Sequence, residues 1–286
     1  MATLRAIRRR IASVKKTQQI TRAMQMVAAA KFRKAQQAIL LARPYAYKMR
    51  EVISSLASRA ELDLHPLLAR RPGKQTEIVV VTADRGLCGG FNSNILRMAS
   101  RHIEQMRAES KKVDLTLIGR KARDYFRRRR VVPRKSHIDI FDEVTYHTAS
   151  LIVNDIIRQF SEGRTDELYF IYNEFKSAIQ QDVVMERVLP FEPMATAEGP
   201  VIDYLYEPSE AVVLDDLLEM HVKVQVYRIL LESSASEYAA RMTAMDAATN
   251  NADDMIAFLT LRYNKARQEA ITKELIDIVG GAEALR

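Results

Sequence analysis

The sequence predicts an α/β domain set between two long helices that pair antiparallel as a coiled coil. Three observations carry this. First, the stretch from Ser209 to Val279 holds neither Gly nor Pro; as one helix of about seventy residues it would be roughly 100 Å long and needs a partner along its length. Second, the other end of the chain is also striped, with no Pro before Pro44 and no Gly before Gly73. Third, the middle alternates β-branched runs with helical segments, the pattern of a largely parallel sheet.

In the N-terminal segment Leu4, Ile7, Ile11 and Val14 recur at spacings of three and four, the seam of a heptad. The stripe then turns small or polar through Thr17, Thr21, Met24 and Ala28, and resumes at Phe32, Ala35 and Ile39. A helix is expected over about Thr3 to Ser58, with a kink near Pro44. His65-Pro66 and Arg70-Arg71-Pro72-Gly73 read as a linker. Ile78 to Val81 reads as a strand buried on both faces. A helix over Asn94–Ala108, a strand over Val113–Ile118 ending at Gly119, and a short helix over Lys121–Arg129 follow. A helix over Thr148–Phe160 and strands over Leu168–Tyr172 and Val183–Leu189 complete the domain.

Pro190, Pro193, Gly199, Pro200 and Pro208 punctuate a loop before the long helix, where Ser209 is the expected N-cap. The seam of that helix reads Leu217, His221, Val224, Arg228, Leu231, Ala235, Tyr238, Met242, Met245, Thr249, Ala252, Ile256, Leu259, Tyr263, Ala266 and Ala270. Its sustained alternation of three and four predicts a left-handed supercoil. Gly280-Gly281 are expected to end the helix. The resulting divisions are 1–58 and 209–286 for the coiled-coil helices, 59–74 for a linker and 75–205 for a Rossmann-like α/β domain.

The chain of 286 residues carries a net charge of +8, unevenly placed. Residues 1–50 hold thirteen Lys or Arg and no acid, the first being Glu51, so the remainder is net −5. Such asymmetry points to a polyanionic partner: nucleic acid, an acidic membrane surface or an acidic protein. Cys88 is the only cysteine, which rules out an internal disulfide and suggests a reducing compartment. No apolar run approaches a membrane span.

Ala83 to Asn92 places three glycines between a strand and a helix, where a phosphate cradle would sit. The spacing fits neither a P-loop nor a dinucleotide fingerprint, so a tight strand-to-helix turn is the expectation. His65, His102, His137, His147 and His221 are scattered and form no metal set. No catalytic constellation is evident, and no cofactor is expected. Arg127 to Arg130 with Arg134 and Lys135 form a basic knot. On these residues alone two competitors stay open: a nucleic-acid-binding coiled-coil protein gripping phosphates with its basic helix, and an α/β enzyme with helical arms.

Three blocks resemble the γ subunit of F-type ATP synthases. They are Ile11 to Thr17 with Ile20 to Ala29, the turn Asp84 to Asn92, and Tyr263 to Gln268 continuing as Ile271 to Ala282; similarity extends through Glu237 to Met242 and the whole chain. The resemblance implies a rotor shaft without ATP chemistry of its own. The coiled coil would sit inside three α and three β subunits, and the α/β domain would form a foot with ε on the membrane c-ring. It implies β-subunit contacts at Arg267, Gln268 and Thr272, and at Met24, where an added positive charge would uncouple. Lys31, Arg33 and Lys34 are expected to face the acidic loop of β. Tyr204, Tyr206 and Glu207 would meet ε and the ring. A peripheral position on the cytoplasmic face of a bacterial inner membrane follows, with no nucleic acid bound and no direct membrane span. The cysteine pair of chloroplast members is absent, and the run Arg127–Arg130 has no counterpart role.

Overall fold

The computed structural model describes residues 4–57, 65–178, 180–192 and 210–283. The elements are α1 (Leu4–Ala57), β1 (Gln75–Val81), α2 (Phe91–Ala108), β2 (Lys112–Ile118), α3 (Arg120–Arg128), β3 (Lys135–His137), a single 3-10 turn (Ile140–Asp142), α4 (Tyr146–Ser161), β4 (Glu167–Phe175), β5 (Gln181–Leu189) and α5 (Glu210–Glu283). The chain divides into two compact units, residues 1–28 with 242–286, and residues 29–241.

The larger unit is built on a five-stranded sheet of order β3-β2-β1-β4-β5. β1 pairs in parallel with β2 and β4, and β2 with β3. β5 lies antiparallel on β4. Only residues 176–180 separate those two strands, too few for the crossover that a parallel pairing requires. β3 escaped the sequence reading because Lys-Ser-His is short and polar, and only the neighbouring strand reveals it.

Side chains of β1 alternate between two cores. Ile78 and Val80 join Phe91, Ile95 and Ala99 of α2 and Ala122 and Phe126 of α3 on one face. Val79 and Val81 join Ile152 and Ile156 of α4, Met49 and Ile53 of α1, and Leu218 and Val222 of α5 on the other. Burial on both faces is why the run reads as continuously apolar. A third cluster packs Phe32, Ala35 and Ile39 of α1 against Leu231, Ala235 and Ala239 of α5 and Phe175 at the end of β4. Each large side chain buried there contributes roughly 1.5–3 kcal/mol.

Several sequence-derived bounds shift: β1 starts at Gln75 rather than Ile78, and β4 spans Glu167–Phe175 rather than Leu168–Tyr172. α2 starts at Phe91, immediately after Gly90, rather than at Asn94. α4 starts at Tyr146, because the Thr145 hydroxyl accepts the N–H of Thr148 (3.1 Å) and caps it. α1, expected over about Thr3 to Ser58, spans Leu4–Ala57 as one helix that includes Pro44. The expected cap Ser209 lies outside the described residues.

α5 does not end at Gly280-Gly281; it continues to Glu283. Glycine permits a helix end without enforcing one. A Cβ at either position would meet nothing within 4 Å. Replacing both by Ala should therefore stabilise the last turns by roughly 0.5–1 kcal/mol per site. Slower amide hydrogen exchange over residues 276–283 is the expected readout; unchanged exchange would contradict it.

Candidate interaction surfaces on the terminal helices

In the smaller unit α1 and α5 run antiparallel. Gln18 donates its amide to Asp253, Thr21 and Thr249 share a hydrogen bond between hydroxyls (2.8 Å), and Gln25 donates to Asp246 (2.7 Å). Residue numbers rise along one helix as they fall along the other. From Leu217 to Ala270 every predicted seam position of α5 is buried or half-buried. On α1 the seam includes Gln18 in place of the predicted Thr17, which is exposed. Counting back from Phe32 by four and three gives Ala28, Gln25, Thr21 and Gln18. The heptad is unbroken, but its residues turn polar.

Those three polar layers have a physical consequence. Apolar seams slide between registers at small cost, whereas a polar side chain held away from water must find its partner. Thr249 also reaches the carbonyl of Met245 (2.8 Å) and Thr21 that of Gln18 (3.0 Å), so each hydroxyl has an acceptor whichever donates across the pair. The buried Thr21–Thr249 layer thus fixes which turn of α1 faces which turn of α5, the two exposed amide–carboxylate pairs adding little.

Met24 is half-buried beside this seam, and Arg267, Gln268 and Thr272 are exposed on α5. Gln268 and Thr272, one turn apart, line a shallow groove with Lys265, Glu269, Lys273 and Ile276. Beyond Ala270 every α5 residue through Ala282 is exposed, including Ile271 (49 %), Leu275 (57 %), Ile276 (64 %), Ile278 (67 %) and Val279 (61 %). Five large aliphatic side chains on two to three turns of helix form an exposed apolar patch. In the larger unit Lys31, Arg33 and Lys34 are all exposed on α1, with the Lys31 ammonium 5.4 Å from the Tyr238 ring centroid. Tyr204, Tyr206 and Glu207 lie outside the described residues.

The glycine turn is filled by the protein's own side chains. The Asn92 carboxamide accepts the N–H of Ala83 (2.9 Å) and donates to the Arg85 carbonyl (3.3 Å). Asp84 accepts the N–H groups of Arg120 (2.9 Å) and Asp139 (3.1 Å), so the N-terminus of α3 is already capped. Arg241 of α5 pairs with Glu237 (2.6 Å) and donates to the Gly86 carbonyl (3.2 Å). The turn thus holds α5 against the sheet, as a strand-to-helix turn rather than a phosphate cradle.

The basic knot divides. Arg134 reaches buried Glu77 and Asp155, and Lys135 reaches Asp155 (2.9 Å). Burial pushes the Asp155 carboxyl up, but hydrogen bonds from Arg134 and Lys135 outweigh it and hold the group at about 2. Arg127 pairs with Asp124 (3.4 Å), and the Arg129 guanidinium stacks 3.6 Å from the Tyr125 centroid. Tyr125 with Arg97 and Arg101 lines a groove between α2 and α3. This groove was missed in the sequence, because Tyr125 is distant in the chain from Arg97 and Arg101 and only the packing of α3 on α2 joins them. Among the described residues no histidine, cysteine and carboxylate set could hold a metal, and no helix is long and apolar enough to cross a membrane.

The ATP synthase family model matches residues 3–285. The ATP synthase gamma chain of Geobacter sp. (strain M21) is 49% identical over the whole of both chains, and that of Anaeromyxobacter sp. (strain Fw109-5) is 50% identical, again over the whole of both. The chain belongs to the ATP synthase gamma-chain family. Among solved structures, a chain of the Tetrahymena thermophila mitochondrial ATP synthase central stalk and c-ring is similar, with a TM-score of 0.62 and 29% identity over 80% of this chain and 99% of that one. A chain of the Euglena gracilis mitochondrial ATP synthase gives a TM-score of 0.73 over 99% of this chain and 94% of that one; at 22% identity it speaks for the fold. As a gamma-chain family member the protein is a non-catalytic part of the ATP synthase complex, as the sequence reading expected. The nucleic-acid reading has no support among these relatives.

Proposed function

We propose that the paired terminal helices act as the turning shaft of the complex inside three α and three β subunits, and that the α/β unit meets ε and the membrane c-ring on the cytoplasmic face of a bacterial inner membrane. The observation that carries this reading is the exposed outer surface of the antiparallel pair: a polar-locked register inside, with cations and unpartnered aliphatic residues outside. One asymmetric pair of helices cannot present the same face to three surrounding sites at once. Coupling is then a difference in contact energy between β conformations at each angle.

In this reading Arg267, Gln268 and Thr272 contact β, and Met24 lies at the same boundary. The guanidinium of Arg267 suits a carboxylate in a two-pronged geometry that Lys cannot reproduce. Lys31, Arg33 and Lys34 complement the acidic loop of β. Tyr204, Tyr206 and Glu207 face ε and the ring.

Neutralising Lys31, Arg33 and Lys34 together to Gln should lower ATP-driven proton pumping relative to hydrolysis by roughly 2–10-fold, since exposed charge contacts are worth a few tenths to 1 kcal/mol each. Membrane vesicles from a strain carrying the triple variant provide the assay. Unaltered coupling at low and high salt would remove the electrostatic part of the proposal. Failure of the chain to assemble with α and β into an active ATPase would remove the whole.

A further inference from the structure

A cavity of about 230 Å³ lies between α1, β5 and α5 in the larger unit, lined by Arg50, Glu186, Arg187, Val188, Pro190, Phe191, Glu192, His221 and Gln225. We propose that it binds a small tetrahedral oxyanion of the phosphate class.

The charge balance of the wall supports an anion. Both oxygens of Glu186 are taken by Arg228 (2.6 and 2.8 Å), and one also by the Tyr172 hydroxyl (2.6 Å). Glu192 pairs with Arg187 and with Arg70 (3.6 Å). Behind the wall, Glu232 takes Arg228 and Arg43 (3.3 Å each). Glu186 thus has both oxygens engaged and Glu192 one, while the second oxygen of Glu232 is buried without a partner. Arg50 is exposed and makes no ion pair among the described residues. It is the uncommitted charge.

The neutral donors point the same way. The Gln225 carbonyl oxygen accepts Arg228 Nε (2.9 Å), which leaves its amide N–H groups as the end free to donate. His221 is only 4 % exposed, stands edge-on to Phe191 (4.9 Å between centroids, 82°), and its Nδ1 has no hydrogen-bond partner. A buried polar atom left without a partner is costly and rare. Uncommitted polar groups thus come from α1 and α5. A planar carboxylate would satisfy part of that set, whereas oxygens directed to several sides satisfy more of it. A bound oxyanion would also tie the two terminal helices to the sheet edge.

Proton linkage gives the site a signature. Burial, then the charges of Arg50 and Arg228, lower the His221 imidazole to about 4. The groups facing it are Arg50 from α1, Arg228 and Gln225 from α5, and Glu186, Arg187 and Glu192 from β5 and the segment after it. An anion beside Arg50 removes repulsion and favours the imidazolium. Binding therefore raises the histidine pKa, and the resulting gain in affinity appears as pH falls through the bound value and is complete below the free value of about 4.

The test is a titration of the full chain with sodium phosphate, read by NMR of the histidine imidazoles at ionic strength matched with sodium chloride. A His221→Phe variant assigns the signal. The expected result is a saturable shift at His221, a rise in its pKa by about one unit, and binding weakened at least ~10-fold in Arg50→Gln, whose exposed position leaves the fold intact. A second arm uses glycerol phosphate. Tighter binding of the ester than of inorganic phosphate would assign the source to a phosphorylated organic molecule, and the reverse to the free ion; either supports the site. No saturable shift with either probe, an equal response to chloride, or undiminished binding in Arg50→Gln would overturn it.

Discussion

Replacing Arg228 by Met should destabilise the protein by roughly 3–5 kcal/mol, the usual cost of leaving a buried charge without its partner. Arg228 lies on α5 and reaches across to β5 and β4. It holds both oxygens of Glu186 (2.6 and 2.8 Å), the Tyr172 hydroxyl (3.3 Å) and Glu232 (3.3 Å). Arg43 of α1 closes the lattice on Glu232 and on the Phe175 carbonyl (3.1 Å). Four elements meet in one network of two guanidinium groups and two carboxylates. Met fills much of the volume but leaves Glu186 and Glu232 facing a single arginine. Denaturant melts of Arg228→Met and wild type at pH 7 would check this. Equal stability at pH 7 would show that the lattice contributes little. A control, Lys223→Ala, removes an exposed helix pair on the same helix (3.0 Å to Glu219) and should cost under ~0.5 kcal/mol.

That lattice shows where sequence reading stops. Arg228 sits at a seam position, and periodicity alone placed it correctly at the helix interface. Nothing in the pattern said that its charge would be met by Glu186, which is forty-two residues away. The long seam of α5 was legible because apolar and small residues repeat over many turns. The seam of α1 was legible until it became polar, and there Thr17 was chosen although the register required Gln18. The end of α5 was misread because glycine is a permissive signal. The helix stop also needs a capping geometry, which a two-glycine pair does not guarantee. Candidate contact surfaces fared unevenly for a related reason. Lys31, Arg33 and Lys34 are neighbours on one helix and visible as a run. The groove of Arg97, Arg101 and Tyr125 exists only after α3 folds onto α2, and the oxyanion cavity only after three elements close around His221.

Replacing Gly119 by Ala should have a still larger effect, on the order of 5 kcal/mol or failure to fold, because two costs combine there. The residue has φ +93° and ψ 144°, a conformation open in practice to glycine alone. A Cβ built on it would stand 2.0 Å from the Thr82 carbonyl oxygen and 2.8 Å from the Thr82 hydroxyl. Neither can yield. The Thr82 N–H donates to the Ile118 carbonyl (2.9 Å), and the Thr82 hydroxyl donates to the same carbonyl (3.2 Å) and accepts the N–H of Ala122 (2.9 Å). Gly119 itself donates to the His137 carbonyl (2.8 Å), which ties in β3. Moving the backbone to relieve the clash would break the carboxyl ends of β1 and β2 together with the start of α3, where Asp84 caps Arg120. The glycine turn that receives Arg241 follows directly from Asp84, so the anchor between α5 and the sheet would loosen with it. The expected outcome is an insoluble or protease-sensitive chain, compared by limited proteolysis with Gly163→Ala, where φ is +73° but a Cβ meets nothing within 4 Å. Gly163→Ala should lose only the ~1–3 kcal/mol of the strained backbone. If both variants were equally stable, the close approach of Gly119 to Thr82 would not be the constraint that holds this corner of the sheet.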